Sequence, residues 1–172
     1  MDTALERIFV DCSVRRLQQL AGRIEDCLGR MTDEQVWGRG GENENSAANL
    51  VLHLCGNLGQ WIVSGVGGAS DTRRRDEEFA ARQGPGVREL SQKLHARVAE
   101  AAAVIERIPA GRLAERVSVQ NYNVTVLEAV YHVVEHFSQH TGQIIFIAKA
   151  ATGQDLGYYA HLKSGAHGAV TP

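Results

Sequence analysis

The chain has 172 residues, 44% of them hydrophobic and 22% charged, with a formal net charge of −2, which fits one soluble domain over residues 1–172 built on a single core. A balance this near neutrality excludes the unbalanced charge on which a nucleic-acid partner depends, and no apolar stretch approaches the roughly 20 residues needed to span a bilayer. Met1-Asp2-Thr3-Ala4-Leu5-Glu6 lacks the basic-then-apolar order of a signal peptide, and Cys12, Cys27 and Cys55 form no Cys-x-x-Cys, so the expectation is a cytoplasmic protein with neither a disulfide framework nor a thiolate zinc site.

Apolar residues three or four apart (Leu5, Ile8, Phe9, Cys12, Leu17, Leu20, Ile24, Leu28) predict a first amphipathic helix over about 3–30. Residues 38–45 are rich in Gly, Asn and Glu without periodicity and read as a loop. Asn45 or Ser46 then offers an N-cap. A second helix over about 47–65 follows through Leu50, Val51, Leu54, Leu58, Trp61 and Ile62 and fades at Gly65-Val66-Gly67-Gly68. Next comes a connection to about residue 86 with Arg73-Arg74-Arg75 followed by Asp76-Glu77-Glu78, read as a solvated charged loop. At some 20 residues it is longer than most bundle connections and fits a crossover rather than a tight turn.

A third helix over about 87–107 carries Val87, Leu90, Leu94, Val98, Ala101, Ala102 and Ile105, and Pro109 follows its end. The stretch "ERVSVQNYNVT" alternates like a strand but shows no partner strand, so it is expected to be a loop. The fourth helix is predicted from about Thr125 to Ala151, capped by Gly153. A tail from about residue 154 contains His161 and His167 in a glycine-rich setting, where exposure is expected rather than function. Four long amphipathic helices without a sustained strand pattern predict an all-α four-helix bundle.

On the fourth helix Leu127, Val130, Val134, Phe137, Ile144 and Ala148 define the apolar stripe. His140 falls nearest that stripe, His136 on its border and His132 furthest round; Gln143 shares the His136 edge. On the second helix His53, Asn57 and Gln60 line one border of the stripe. Two imidazoles four apart on one helix can converge on a cation, and a third from a facing helix would leave a position open. On spacing alone both readings stay open, a metal ligand and a hydrogen-bonded residue at the core edge. Cys55 lies on another side of its helix from His53 and is expected to pack as a small core residue, with Trp37 and Trp61 as packing anchors.

The strings "SAANLVLHLCGNLGQWI" and "VLEAVYHVVEHFSQHTGQIIFIAK" resemble the DinB-like (YfiT-like) metal-binding superfamily. "DEQVWGR", "SGVGGASDTRRRDEEF" and "TGQDLGYY" extend the resemblance to an uncharacterised bacterial branch over nearly the whole chain. The resemblance implies an up-up-down-down bundle holding a divalent cation, zinc or nickel, on His53, His136 and His140. His132 is expected outside that ligand set, solvated or behind it, while Asn57 and Gln143 are candidates to hydrogen-bond a ligand imidazole. Relatives of this kind include thiol transferases and an isomerase, so the implied activity is a metal-dependent transferase of thiol-transfer type or a hydrolase acting on a small molecule or a low-molecular-weight thiol. The alternative is a non-catalytic metal- or ligand-binding bundle, or a stress-linked interaction protein, since one fold hosts many chemistries. A homodimer is expected from the same resemblance and from the apolar content of the first helix. No catalytic residue beyond the metal ligands can be named.

Overall fold

The computed structural model describes residues 3–160; the tail histidines His161 and His167 lie outside these. Helix α1 (Thr3–Gly29) buries Val10, Val14, Leu17, Leu20, Ile24 and Leu28. Of the expected stripe Leu17, Leu20, Ile24 and Leu28 face the core, while Leu5, Ile8 and Cys12 are exposed because Val10 and Val14 set the buried face in the first half. A short α2 (Asp33–Trp37) follows, opened by a capping box in which Thr32 and Gln35 satisfy each other's backbone N–H groups. Helix α3 (Ala47–Leu58) starts at a second capping box, Ser46 with Asn49, which decides between the two N-cap candidates in favour of Ser46.

After Leu58 the helix widens into a π-helical stretch, Gly59–Val66, where the Gly67 N–H reaches back five residues to the Ile62 carbonyl. The connection beyond it holds a short α4 (Arg75–Ala80). Helix α5 (Val87–Glu106) follows, with the Asp33 carboxylate accepting from the Val87 N–H at 2.7 Å. Last comes α6 (Val126–Thr152), opened by the Thr125–Glu128 capping box and closed by Gly153 at φ 68°.

The expectation of a loop at "ERVSVQNYNVT" is corrected. Strands β1 (Arg116–Val119) and β2 (Tyr122–Thr125) pair antiparallel, with Val119 opposite Tyr122. The missing partner strand was the second half of the same stretch. Gln120 and Asn121 both have positive φ, 50° and 66°, as a two-residue hairpin turn requires. Val119 at the hairpin tip packs on Gly65, where a Cβ would lie 2.3 Å from a Val119 methyl, so only glycine admits the hairpin there.

The four long helices form an all-α bundle around one core. Phe137, Leu17, Ile24, Leu50, Leu54, Leu58, Leu90, Leu94 and Ile105 are among its largest fully buried side chains. Side-chain contacts set the directions. Glu6 accepts from the Gly111 N–H and Glu25 lies beside His95, so α1 and α5 are antiparallel. Gly59 faces Arg97 and Gly67 faces Val104, so α3 and α5 run parallel.

His53 meets His136 while Trp61 meets His132, so α3 and α6 are antiparallel. Arg30 bonds Gln154 beyond the C-terminus of α6, and the chain enters α6 beside Glu115, close to the Gly111 that meets the first turn of α1; α1 and α6 run parallel. Around the bundle in the order α6, α1, α5, α3 the directions are up, up, down, down. That is the up-up-down-down bundle expected; along the chain the directions are up, down, down, up. The reason is the long α3-to-α5 connection. It returns the full length of the bundle, so two consecutive helices run parallel.

Candidate metal centre

His53 sits in the second turn of α3, where the Ser46 cap has already set the helix phase, and the residue is only 4% exposed. His136 and His140 are one turn apart on α6, flanking the fully buried Phe137 that fixes the rotation of this helix against the core. Because α3 and α6 are antiparallel neighbours, the two edges meet. One nitrogen from each of His53, His136 and His140 lies within 4.8 Å of the other two. His53 Nε2 and His136 Nε2 are 2.8 Å apart, and the His136 and His140 rings meet edge to face at 4.4 Å between centroids. A cation with N-donor bonds of about 2.0–2.1 Å would set its nitrogens roughly 3.3 Å apart, a change that side-chain rotation covers.

The charge state suits a cation. Burial, then the neighbouring His140, His53, His132 and Arg73, push the His136 imidazole down to about 3. Burial also lowers His140, against a hydrogen bond to the Gln143 amide oxygen that favours its charged form. Neutral imidazole is the form that ligates. His140 Nδ1 is 2.6 Å from Gln143 Oε1, so a proton on Nδ1 leaves Nε2 bare. Gln143 thus hydrogen-bonds one of the three imidazoles. Asn57 is buried one turn after His53 and bonds none of the three imidazoles among the described residues.

His132 does not join the cluster, though it is not solvated either. Its ring lies between Trp61, at 4.1 Å, and His136, stacked at 5.5 Å. Burial lowers its basicity against the pull of Glu135. It backs His136 as a flat neutral wall. Trp61 in turn donates to Gln120 at the hairpin tip, 3.3 Å away, and Trp37 donates to the Pro85 carbonyl at 3.1 Å, so both tryptophans anchor connections. Cys55 is partly buried with its thiol pushed up to about 12 by burial, which makes it an inert packing group rather than a nucleophile.

The α3-to-α5 connection departs from the solvated loop expected there. Arg74 and Glu77 are exposed, but the Arg73 and Glu78 side chains are only 3% and 11% exposed. Glu78 Oε2 lies 3.1 Å from His53 Nδ1, on the ring edge opposite the cluster, and the Phe79 ring packs 4.5 Å from the His53 ring. Burial raises the Glu78 carboxyl. The Arg73 and His53 hydrogen bonds and charges outweigh it, leaving a net shift below the usual range. Six consecutive charged residues, 73–78, hide this pair, because a run with no apolar residue carries no periodicity to mark a buried face. The one available signal was Phe79, an apolar residue that closes the run and marks where the chain turns inward.

No helix among the described residues is long and apolar enough to cross a membrane. Among curated proteins nothing matches the chain. A solved structure described as the conserved protein of a locus from Enterococcus faecalis is similar, with a TM-score of 0.69 at 19% identity, covering 84% of this chain and 97% of that one. A likeness at that identity carries the fold alone. The family model described as a protein of unknown function (DUF1572) matches residues 4–160, and the chain belongs to that family.

Proposed function

We propose that the protein binds one divalent cation, zinc or nickel, on His53, His136 and His140, and uses it as a DinB/YfiT-like metal-dependent transferase of thiol-transfer type or as a hydrolase. The observation that carries this reading is the convergence of three imidazole nitrogens from two helices within 4.8 Å, two of them on rings whose burial favours the neutral form. An all-nitrogen, neutral donor set fits a borderline cation such as zinc or nickel better than calcium or magnesium, which favour oxygen. Three protein ligands leave a coordination position for a substrate. When bound, the cation supplies Lewis acidity, which favours the deprotonated, nucleophilic form of water or a thiol near neutral pH.

The chain's own part is to hold His136 and His140 neutral by burial and to orient the rings, with Gln143 behind His140 and Glu78 behind His53. A homodimer belongs to the same reading, supported by Leu5 and Ile8 standing 64% and 58% exposed on α1, and cytoplasmic location with it. A second reading, binding without catalysis, draws on Glu78. This carboxylate, in contact with His53, is committed to Arg73 and His53, which leaves it unsuited to act as a general base.

The test is metal analysis of protein purified without a nickel column, followed by a transfer screen with low-molecular-weight thiols. About one zinc or nickel per chain with thiol consumption supports the transferase. Bound metal without turnover of any thiol or ester supports the binding reading. Protein that takes up neither metal at micromolar concentrations refutes both.

A further inference from the structure

We propose that Glu78, locked by Arg73 and admitted by Gly56, is the positioning carboxylate of the metal site, setting the tautomer of His53 so that Nε2 presents its lone pair to the cation. The proposal rests on the three-histidine reading above and assigns a role to a segment that does not itself ligate.

Two groups compete for His53 Nδ1. Arg73 Nη2 stands 3.0 Å from it and Glu78 Oε2 3.1 Å. If Arg73 donated to a bare Nδ1, the imidazole proton would sit on Nε2, pointing into the cluster and blocking ligation. If Glu78 accepts from Nδ1–H, Nε2 is bare. The geometry favours the second arrangement. Arg73 already donates twice to the carboxylate, Nε to Oε1 and Nη2 to Oε2, both at 2.8 Å, and its Nη1 donates to Gln60 at 3.0 Å. One Nη2 hydrogen remains free to reach Nδ1, so the choice turns on Oε2. Against a bare Nδ1 the carboxylate oxygen would face a lone pair at 3.1 Å, whereas against Nδ1–H it accepts a charge-assisted bond.

The surroundings hold this pair in place from three sides. The buried amide of Asn49, one turn before His53, donates to the Glu78 carbonyl at 2.8 Å and to the Ala81 carbonyl at 3.0 Å, tying the connection to α3. Phe79 covers the His53 ring. Gly56 faces the pair directly. A Cβ there would lie 1.9 Å from Glu78 Oε1 and 2.9 Å from Arg73 Nε, so any side chain would push the carboxylate off its seat. Gly56 has ordinary helical neighbours, and this close approach is a specific reason for a glycine in mid-helix.

The experiment measures zinc affinity by competition with a chromophoric chelator for the wild type, Glu78→Gln, Gly56→Ala, the double variant and the control Glu77→Gln, whose parent side chain is 68% exposed. A thermal melt of each metal-free variant checks the fold, and 15N-detected imidazole spectra report the His53 tautomer. Glu78→Gln and Gly56→Ala should each weaken zinc about 10–100-fold, the usual effect of losing a partner behind a ligand histidine. The double variant should bind no more weakly than Glu78→Gln, because both act through one carboxylate. Glu77→Gln should bind like the wild type.

Metal-free wild type should show His53 protonated at Nδ1, shifting towards Nε2 in Glu78→Gln. Equal zinc affinity in all five proteins overturns the proposal and leaves the three-histidine site standing. If the wild type takes no zinc, the metal reading falls by itself and the spectra still decide this one: an Nε2 proton on wild-type His53 overturns it, as it would for a Gly56→Ala variant too unstable to titrate.

Discussion

His53 is approached from two sides by regions of different kinds. On one side α6 presents His136 and His140 from a regular helix whose rotation is set by buried Phe137, Ile144 and Ala148. On the other side the connection between α3 and α5 presents Glu78 from a loop and a six-residue helix with no buried residue of its own. The helix places its side chains through core packing, a global constraint. The connection places Glu78 through a few local bonds: the Arg73 fork, the Asn49 amide and the Gly56 notch. A helical shelf should therefore fail only when the core fails, and the connection should fail piecemeal.

The largest effect expected from this contrast is on the shelf. Phe137→Ala removes a fully buried ring from α6 between the two histidines and should destabilise the protein by about 3–5 kcal/mol, read by chemical denaturation. A loss below about 1 kcal/mol would mean that α6 is not held by the core at this point. On the connection, Arg74→Ala and Glu77→Ala remove an exposed ion pair (77% and 68% exposed) one residue from each end of the buried one, and each should change stability by no more than about 0.5 kcal/mol. A larger change there would place the whole charged run, and not Arg73 and Glu78 alone, in the structure.

Acid probes both sides together, and its effect falls between these two. His136 is pushed from 6.5 down to about 3 in the folded chain, and His132 and His140 are also lowered. For these bases the unfolded chain binds more protons as pH falls below about 6.5, so folding is progressively disfavoured from there down to the folded values. Glu78 lies below its ordinary 4.5, so its contribution is present above that value and is lost as pH falls through the lowered one. Both signs agree. Metal-free melts between pH 7.5 and 4 should show a falling midpoint that begins near 6.5. A midpoint that is flat or rises towards acid would contradict the buried, neutral imidazoles.

The parts of the molecule ruled by periodicity could be read from the residues alone. The four long helices and the His53, His136 and His140 edges follow from apolar spacing near 3.6, and the Ser46 and Gly153 ends follow from capping chemistry. What lay hidden is set by contacts between segments. The hairpin needed the recognition that Gln120-Asn121 can turn with positive φ, so that one alternating stretch is two strands. The chain order of helix directions depends on where a 20-residue connection lands, which composition does not encode. Glu78 lay inside a run of like-looking charges, and the Gly56 that admits it reads in the sequence as an ordinary weak spot in a helix.

The most direct test is bound metal per chain after zinc loading and dialysis, measured for single alanine variants of His53, His136, His140 and His132. The cross-helix site predicts that losing His53, His136 or His140 empties the chain, while His132→Ala stays largely filled, because His132 only stacks between Trp61 and His136. A His132→Ala variant that loses its metal beside a His53→Ala variant that keeps it would contradict the account, since the ligands would then belong to α6 alone.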